Sequence, residues 1–168
     1  KQVATVQRLP ILQPRRARDP HLLAELKSLA PQVVVVAAYG QVLRPALLSI
    51  PPLGCVNVHA SLLPKYRGAA PINWALIRGE CMTGVTIMLI DETLDTGPIL
   101  LQSEIAIAPS DDAGTLQARL AMCGAETLLH ALDGLESGAL RPVPQEHALA
   151  TYAPKLRKED GTINWSHG

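Results

Sequence analysis

A run of four valines and two alanines, Val33 to Ala38, does most to limit the folds open to this chain. An uninterrupted β-branched stretch of this length is the pattern of a parallel strand covered on both faces. The flanking residues agree with it. Asp19-Pro20 has the form of a helix start, an N-cap followed by proline at the first helical position. Leu22, Leu23, Leu26 and Leu29 then share one face, and Pro31 ends the helix. Beyond the valines, Tyr39-Gly40-Gln41-Val42-Leu43 reads as a rim loop. Arg44-Pro45 opens a short helix to Ile50, Pro51-Pro52 stops it, and Cys55 to His59 is the next strand. With a proline-flanked edge strand expected at Leu9 to Leu12, the order strand, helix, strand, helix, strand implies right-handed crossovers and a parallel sheet.

The second half is patterned differently. Ala70 to Ile77 has helical spacing with Gly79 as a C-terminal glycine. Val85 to Ile90 and Ile99 to Ile107 read as strands whose short linker makes them antiparallel or steeply bent, so the sheet is expected to be mixed. Ser110-Asp111-Asp112 precedes a long amphipathic helix from Thr115 to Leu135 that packs on the sheet. Gly138 to Thr151 is polar and proline-containing, and the tail from Tyr152 to Gly161 has no amphipathic period, so it reads as a surface extension. The fold class is thus α/β, a mostly parallel mixed sheet with helices on both faces.

The bulk properties fit one domain. Of 168 residues, 48% are hydrophobic and 18% charged, and Phe is absent, so the core is built from Val, Ile, Leu and Ala. Fifteen Lys and Arg balance fifteen Asp and Glu, which gives no global attraction to a polyanion. Cys55, Cys81 and Cys123 include no CxxC pair, which argues against a disulfide framework or zinc knuckle and for a reducing, cytoplasmic setting. No apolar run approaches the roughly 20 residues that cross a bilayer, and KQVATVQRLP lacks the apolar stretch of a signal peptide. No membrane association is expected. The abrupt start without Met and the end at Ser166-His167-Gly168 read as a piece of a longer protein.

Chemistry concentrates in GCVNVHASLLPKYRGAA, Gly54 to Ala70. Strand alternation points Cys55, Asn57 and His59 one way, and Val56 and Val58 the other. An amide and an imidazole at a strand end suit a carbonyl: Asn57 can donate to an oxygen gaining charge, and His59 can donate or move a proton. A carboxylate near His59 would hold its tautomer, and Asp95, in DETLDTGP, is the best candidate, with Asp91 its rival. Ser61 has no GxSxG elbow and is not read as a nucleophile. Cys55 reads as a small buried hydrophobe. His21, His130, His147 and His167 lack ligand spacing, so no metal is expected. Without GxGxxG or GxxxxGKS, neither a dinucleotide nor a P-loop nucleotide is indicated. Arg15, Arg16 and Arg18 read as a solvated turn, and Trp74 as core.

NVHASLLPKYRGAAPINWAL followed by TGVTIMLIDETLDTGPIL resembles the folate-dependent formyltransferases, most closely the branch acting on methionyl-tRNA, and TYAPKLRKEDGTINW resembles the end of that branch's catalytic domain. The resemblance covers nearly the whole chain. It implies a Rossmann-like domain with 10-formyltetrahydrofolate as donor, without a metal, and the amine of initiator methionyl-tRNA as acceptor. The family's catalytic positions fall on Asn57, His59 and Asp95. Its folate positions fall on Gly40, Gln41, Val42 and Leu43, on Ser61, Leu62, Leu63 and Pro64, and on Asp91, Glu92, Thr93 and Leu94. Lys65, Arg67 and Arg78 are candidates for the acceptor stem, where phosphate contacts would position rather than specify. The resemblance also implies residues 1–150 as a catalytic core lacking the family's first strand, and 151–168 as a tail leading to an absent C-terminal domain. The competing expectations are formyl transfer to a sugar-nucleotide amine, hydrolysis of the formyl donor, and a folate-binding module without turnover.

Overall fold

The computed structural model describes residues 1–163, 165 and 166. In chain order the elements are α1 (Gln2–Val6), α2 (Pro20–Leu29), β1 (Val34–Ala37), α3 (Pro45–Leu48), β2 (Cys55–His59), β3 (Arg67–Gly68), α4 (Pro71–Ile77), β4 (Met82–Leu89), β5 (Ile99–Ala106), α5 (Ala113–Glu136) and β6 (Tyr152–Ala153). The main sheet has the order β1-β2-β4-β5, and β3 pairs with β6 in a second, two-stranded sheet. β1 and β2 are parallel, with Val36 beside Asn57 and Ala37 beside Val58. β4 is antiparallel to β2 and, across their short linker, to β5. The main sheet is therefore mixed, and its parallel part is the β1–β2 pair.

Alternation along β2 separates two apolar clusters, one on each face. Val56 packs with Val85, Ile87, Leu100, Leu116 and Leu120. Cys55 packs with Ala17, Leu43 and Leu47, against which Leu22, Leu23 and Leu26 of α2 and Val34, Val36 and Ile90 are laid. Helices thus cover both faces. On the first, α5 buries Leu116, Leu120, Gly124, Thr127 and Ala131, and a Cβ on Gly124 would lie 3.1 Å from Val58 Cγ1, so the helix rides close to the sheet. Asp112 starts α5 with a capping box shared with Thr115. On the second face, Asp19 caps α2 by accepting from the His21 N–H, and Ala30 closes it in the left-handed conformation.

Three expectations change. Leu9 to Leu12 is not a strand: Leu9, Ile11 and Leu12 are exposed, and the prolines at 10 and 14 remove donors that a ladder would need. β1 is covered on one face only, since α5 lies across β4 and β5 and leaves Val35 41% exposed. The segment after α5 is stitched into the domain rather than trailing from it. Val143 bridges Ile99, the Thr151 carbonyl accepts from Arg67 N–H, and the Ala153 carbonyl accepts from Ala70 N–H. Ala153 is fully buried, so the boundary expected between 150 and 151 falls inside packed structure. Asn164, His167 and Gly168 lie outside the described residues.

Candidate active site

Because β1 runs parallel to β2, residues leaving β1 at Ala38–Gly40 emerge beside the His59 end of β2. Asn57 and His59 stand about 7 Å apart along that strand, on the face carrying Cys55. The Asn57 side chain is half-buried, and its amide has no hydrogen bond among the described residues. His59 is 6% exposed. Its Nε2 lies 2.9 Å from the main-chain carbonyl of Tyr66. A carbonyl can only accept, so Nε2 carries the proton and Nδ1 is the atom free to exchange one.

Nδ1 faces Asp95 Oδ2 at 3.8 Å, within ion-pair reach but beyond a direct hydrogen bond. The tautomer is thus set by the Tyr66 carbonyl, not by Asp95 as expected. The route to Asp95 also differs. Leu89 lies opposite Val56, three residues before His59, so the chain leaves β4 at the far end of β2. It returns about 10 Å along the sheet face, past Ile90 in the Cys55 cluster. Asp95 then accepts from the Gly68 N–H at 2.9 Å. Both residues whose backbones shape this corner lie in the left-handed region, Tyr66 at φ +61° and Asp95 at φ +52°. Such geometry persists only where the surroundings hold it.

The neighbouring loop is framed from below. Thr86 Oγ1, fully buried, accepts from Leu63 N–H and Gln102 Nε2 and donates to the Ser61 carbonyl, while Gln102 also donates to the Leu63 carbonyl. Ser61 is itself fully buried and gives its hydroxyl to the Lys65 carbonyl. Of the two roles expected of Ser61, loop geometry or a folate contact, burial and this bond favour the first. Leu63 and Leu43 likewise belong to buried packing. Leu62 and Pro64 are half-buried, and Gly40, Gln41 and Val42 are exposed. Gln41 accepts from Ala17 N–H and donates to the Arg15 carbonyl, tying the rim loop to the segment before α2. Asp91 accepts from Thr93 and Thr96, which assigns it to the turn and removes it as Asp95's rival. Glu92, Thr93 and Leu94 are exposed beside it.

Of the three cations offered for an acceptor stem, Arg67 is withdrawn. It is 2% exposed, with its guanidinium committed to Gln145 and His147. Lys65 is exposed, and exposed Arg78 stacks over the rings of Tyr66 and Trp74. The Trp74 indole N–H donates to the Pro154 carbonyl. Burial and the Glu80 acceptor raise the Tyr66 phenol above its usual range. Among the described residues no helix is long and apolar enough to cross a membrane, and no group of three or more His, Cys, Asp or Glu could hold a metal.

Burial pushes the Cys55 thiol from 9.0 up to about 11. The thiolate is the reactive form, so iodoacetamide near neutral pH is expected to label exposed Cys81 and spare Cys55 until the chain unfolds, as peptide mass spectrometry would show. The folded thiol keeps its proton where the unfolded one has lost it. Its contribution to stability is therefore intact below about pH 9 and is lost as pH rises to about 11.

The main-chain role of Tyr66, and Thr86 and Gln145 altogether, were not found by sequence reasoning. The first acts through its main chain and the second from beneath the loop, and neither leaves a motif. Gln145 lies in a stretch whose polar composition reads as surface.

A family model described as formyl transferase matches residues 1–132. The chain is 53% identical to methionyl-tRNA formyltransferase of Pelobacter propionicus over 165 residues, 98% of this chain and 52% of that protein. It is 54% identical to the methionyl-tRNA formyltransferase of Syntrophus aciditrophicus over 166 residues, 99% of this chain and 53% of that one. The chain thus spans about half the length of the curated relatives it matches. The fold is similar to that of a formyltransferase from Anoxybacillus kamchatkensis, solved with a UDP-linked formamido sugar and tetrahydrofolate. The TM-score is 0.69 at 24% identity, over 90% of this chain and 75% of that one. With a Rossmann-like α/β sheet and the family model spanning most of its length, the chain belongs to the formyl transferase family.

Proposed function

We propose that this chain is the catalytic part of an enzyme that transfers the formyl group of 10-formyltetrahydrofolate to the amine of initiator methionyl-tRNA, in the cytoplasm, for translation initiation. The observation that carries the chemistry is the approach of Asp95 to His59 Nδ1, on the strand whose same face carries Asn57. Identity above 50% with methionyl-tRNA formyltransferases over 98% of the chain supports the choice of acceptor.

The residues present fit a folate. A pterin needs apolar walls and main-chain partners, and the rim leaves Val42 66% and Leu94 61% exposed beside the backbone of Gly40–Gln41 and Glu92–Thr93. Bound there, 10-formyltetrahydrofolate supplies an electrophilic formyl carbon. The chain's own groups do the rest. Asn57 donates to the formyl oxygen as negative charge builds on it, the step at which a preorganised donor counts most. His59, held through Nε2 by Tyr66, presents Nδ1 to take the proton of the amine attacking the formyl carbon and to return it to the donor nitrogen as the bond from that nitrogen to the formyl carbon breaks. Asp95 balances the imidazolium that results. No covalent enzyme adduct is needed. Lys65 and Arg78 are assigned to acceptor phosphates.

The test is an acceptor competition on the complete protein, offering charged initiator tRNA, a 4-amino sugar nucleotide and water with one formyl donor. Formylated methionyl-tRNA is the expected product. Exclusive use of the sugar or of water would overturn the choice of acceptor, and folate binding without any turnover would overturn catalysis itself.

A further inference from the structure

Val143 exchanges both main-chain hydrogen bonds with Ile99, each 2.8 Å, which fixes the segment after α5 beside the start of β5. Two residues on, the Gln145 side chain turns inward and is 5% exposed. Its carboxamide is fully used. Nε2 donates to the carbonyls of Asp95 at 3.0 Å and Gly97 at 2.7 Å, and Oε1 accepts from Arg67 Nε at 3.1 Å and Nη2 at 2.6 Å. Arg67, also buried, gives a further Nη2 bond of 3.2 Å to His147 Nδ1.

This pair joins the two pieces of backbone that orient the reacting side chains. Tyr66–Gly68 gives His59 its carbonyl and Asp95 its N–H, and the loop from Asp95 to Gly97 carries the carboxylate. Each piece contains one of the left-handed residues, Tyr66 and Asp95. A buried polar side chain is disfavoured unless its bonds return the loss of water, and those of Gln145 go to Arg67 and the Asp95 loop. We infer that Gln145 is a positioning residue: it clamps the Asp95 loop to the Tyr66–Gly68 segment, and so holds the carboxylate against His59 Nδ1. The inference rests on the reaction proposed above.

Two substitutions in the complete protein separate positioning from mere anchoring of Arg67. Gln145→Ala removes both sets of bonds. Gln145→Glu keeps an acceptor for Arg67 but sets a carboxylate oxygen against the two loop carbonyls. Both are expected to lower kcat by about 10- to 100-fold per folded molecule, with KM for donor and acceptor within about twofold. On an Asp95→Asn background, Gln145→Ala is expected to add less than about threefold, because the carboxylate that it positions is already gone.

The inference is overturned if Gln145→Glu keeps wild-type kcat, if the two losses multiply in the double variant, or if activity falls only in step with the folded fraction measured by circular dichroism. It is overturned also if neither variant folds, since Gln145 is then structural only. If the wild-type protein formylates none of the acceptors, the reaction itself fails, a result distinct from every one of these.

Discussion

In the complete protein, Asn57→Ala is expected to lower kcat for formyl transfer by about 100- to 1000-fold while leaving KM for the folate donor within about twofold. The size follows from the position of the amide. It projects from the middle of β2, two residues before the strand ends at His59, half-buried, on the face of His59, with no hydrogen bond of its own among the described residues. A group that props up the fold would be bonded to it; this one is held by the strand and left free. A donor pointed at charge that develops only during reaction stabilises the transition state and not the ground state, so its loss appears in kcat. Asn57→Asp is expected to do at least as much harm, because it places a carboxylate where negative charge must build. Steady-state kinetics with varied donor would check both, and a kcat within twofold of wild type for Asn57→Ala would remove the amide from the mechanism.

The parts of this site that could be read from the sequence are those carried by periodicity. Strand alternation is sterically fixed, so the shared face of Cys55, Asn57 and His59 follows from the residues alone, and β2 covers that same span. The helix that begins at Asp19-Pro20 and the antiparallel β4–β5 pair were legible for similar local reasons. What could not be read is carried by main-chain groups and by long-range returns of the chain. The His59 tautomer depends on the Tyr66 carbonyl, to which any residue could contribute equally. Arg67 read as a surface cation together with Lys65 and Arg78, yet its partner Gln145 lies 78 residues away. The exposure of Leu9 to Leu12 and of Val35 was missed for the opposite reason. An apolar pattern shows that a segment can be covered and says nothing of whether a partner reaches it.

Gly97 illustrates both the reach and the limit of local reading, and Gly97→Ala is expected to combine loss of stability with loss of activity. The sequence marks Gly97-Pro98 as a turn, which suggests that glycine is there for its backbone freedom. The structure gives another cause. Gly97 is absent from the positive-φ residues, but a Cβ on it would stand 1.9 Å from the Leu89 carbonyl oxygen and 3.0 Å from its carbon. The obstacle is backbone of β4, whose Leu89 N–H is tied to the Pro98 carbonyl, so no side chain can swing aside. The loop must lift. Overpacking of this kind costs about 3 kcal/mol, which for a domain of this size lowers the melting midpoint by about 6–12 °C. The same displacement strains the Gln145 bonds to Gly97 and Asp95 and draws Asp95 from His59, so kcat is expected to fall by about tenfold or more even well below the midpoint. Gly161→Ala is the control: nothing lies within 4 Å of its Cβ and its φ is ordinary, so neither quantity should move. Thermal denaturation and steady-state kinetics on the two variants decide the matter. A Gly97→Ala protein that melts with the wild type would show that the close approach to Leu89 does not hold the Asp95 loop in place.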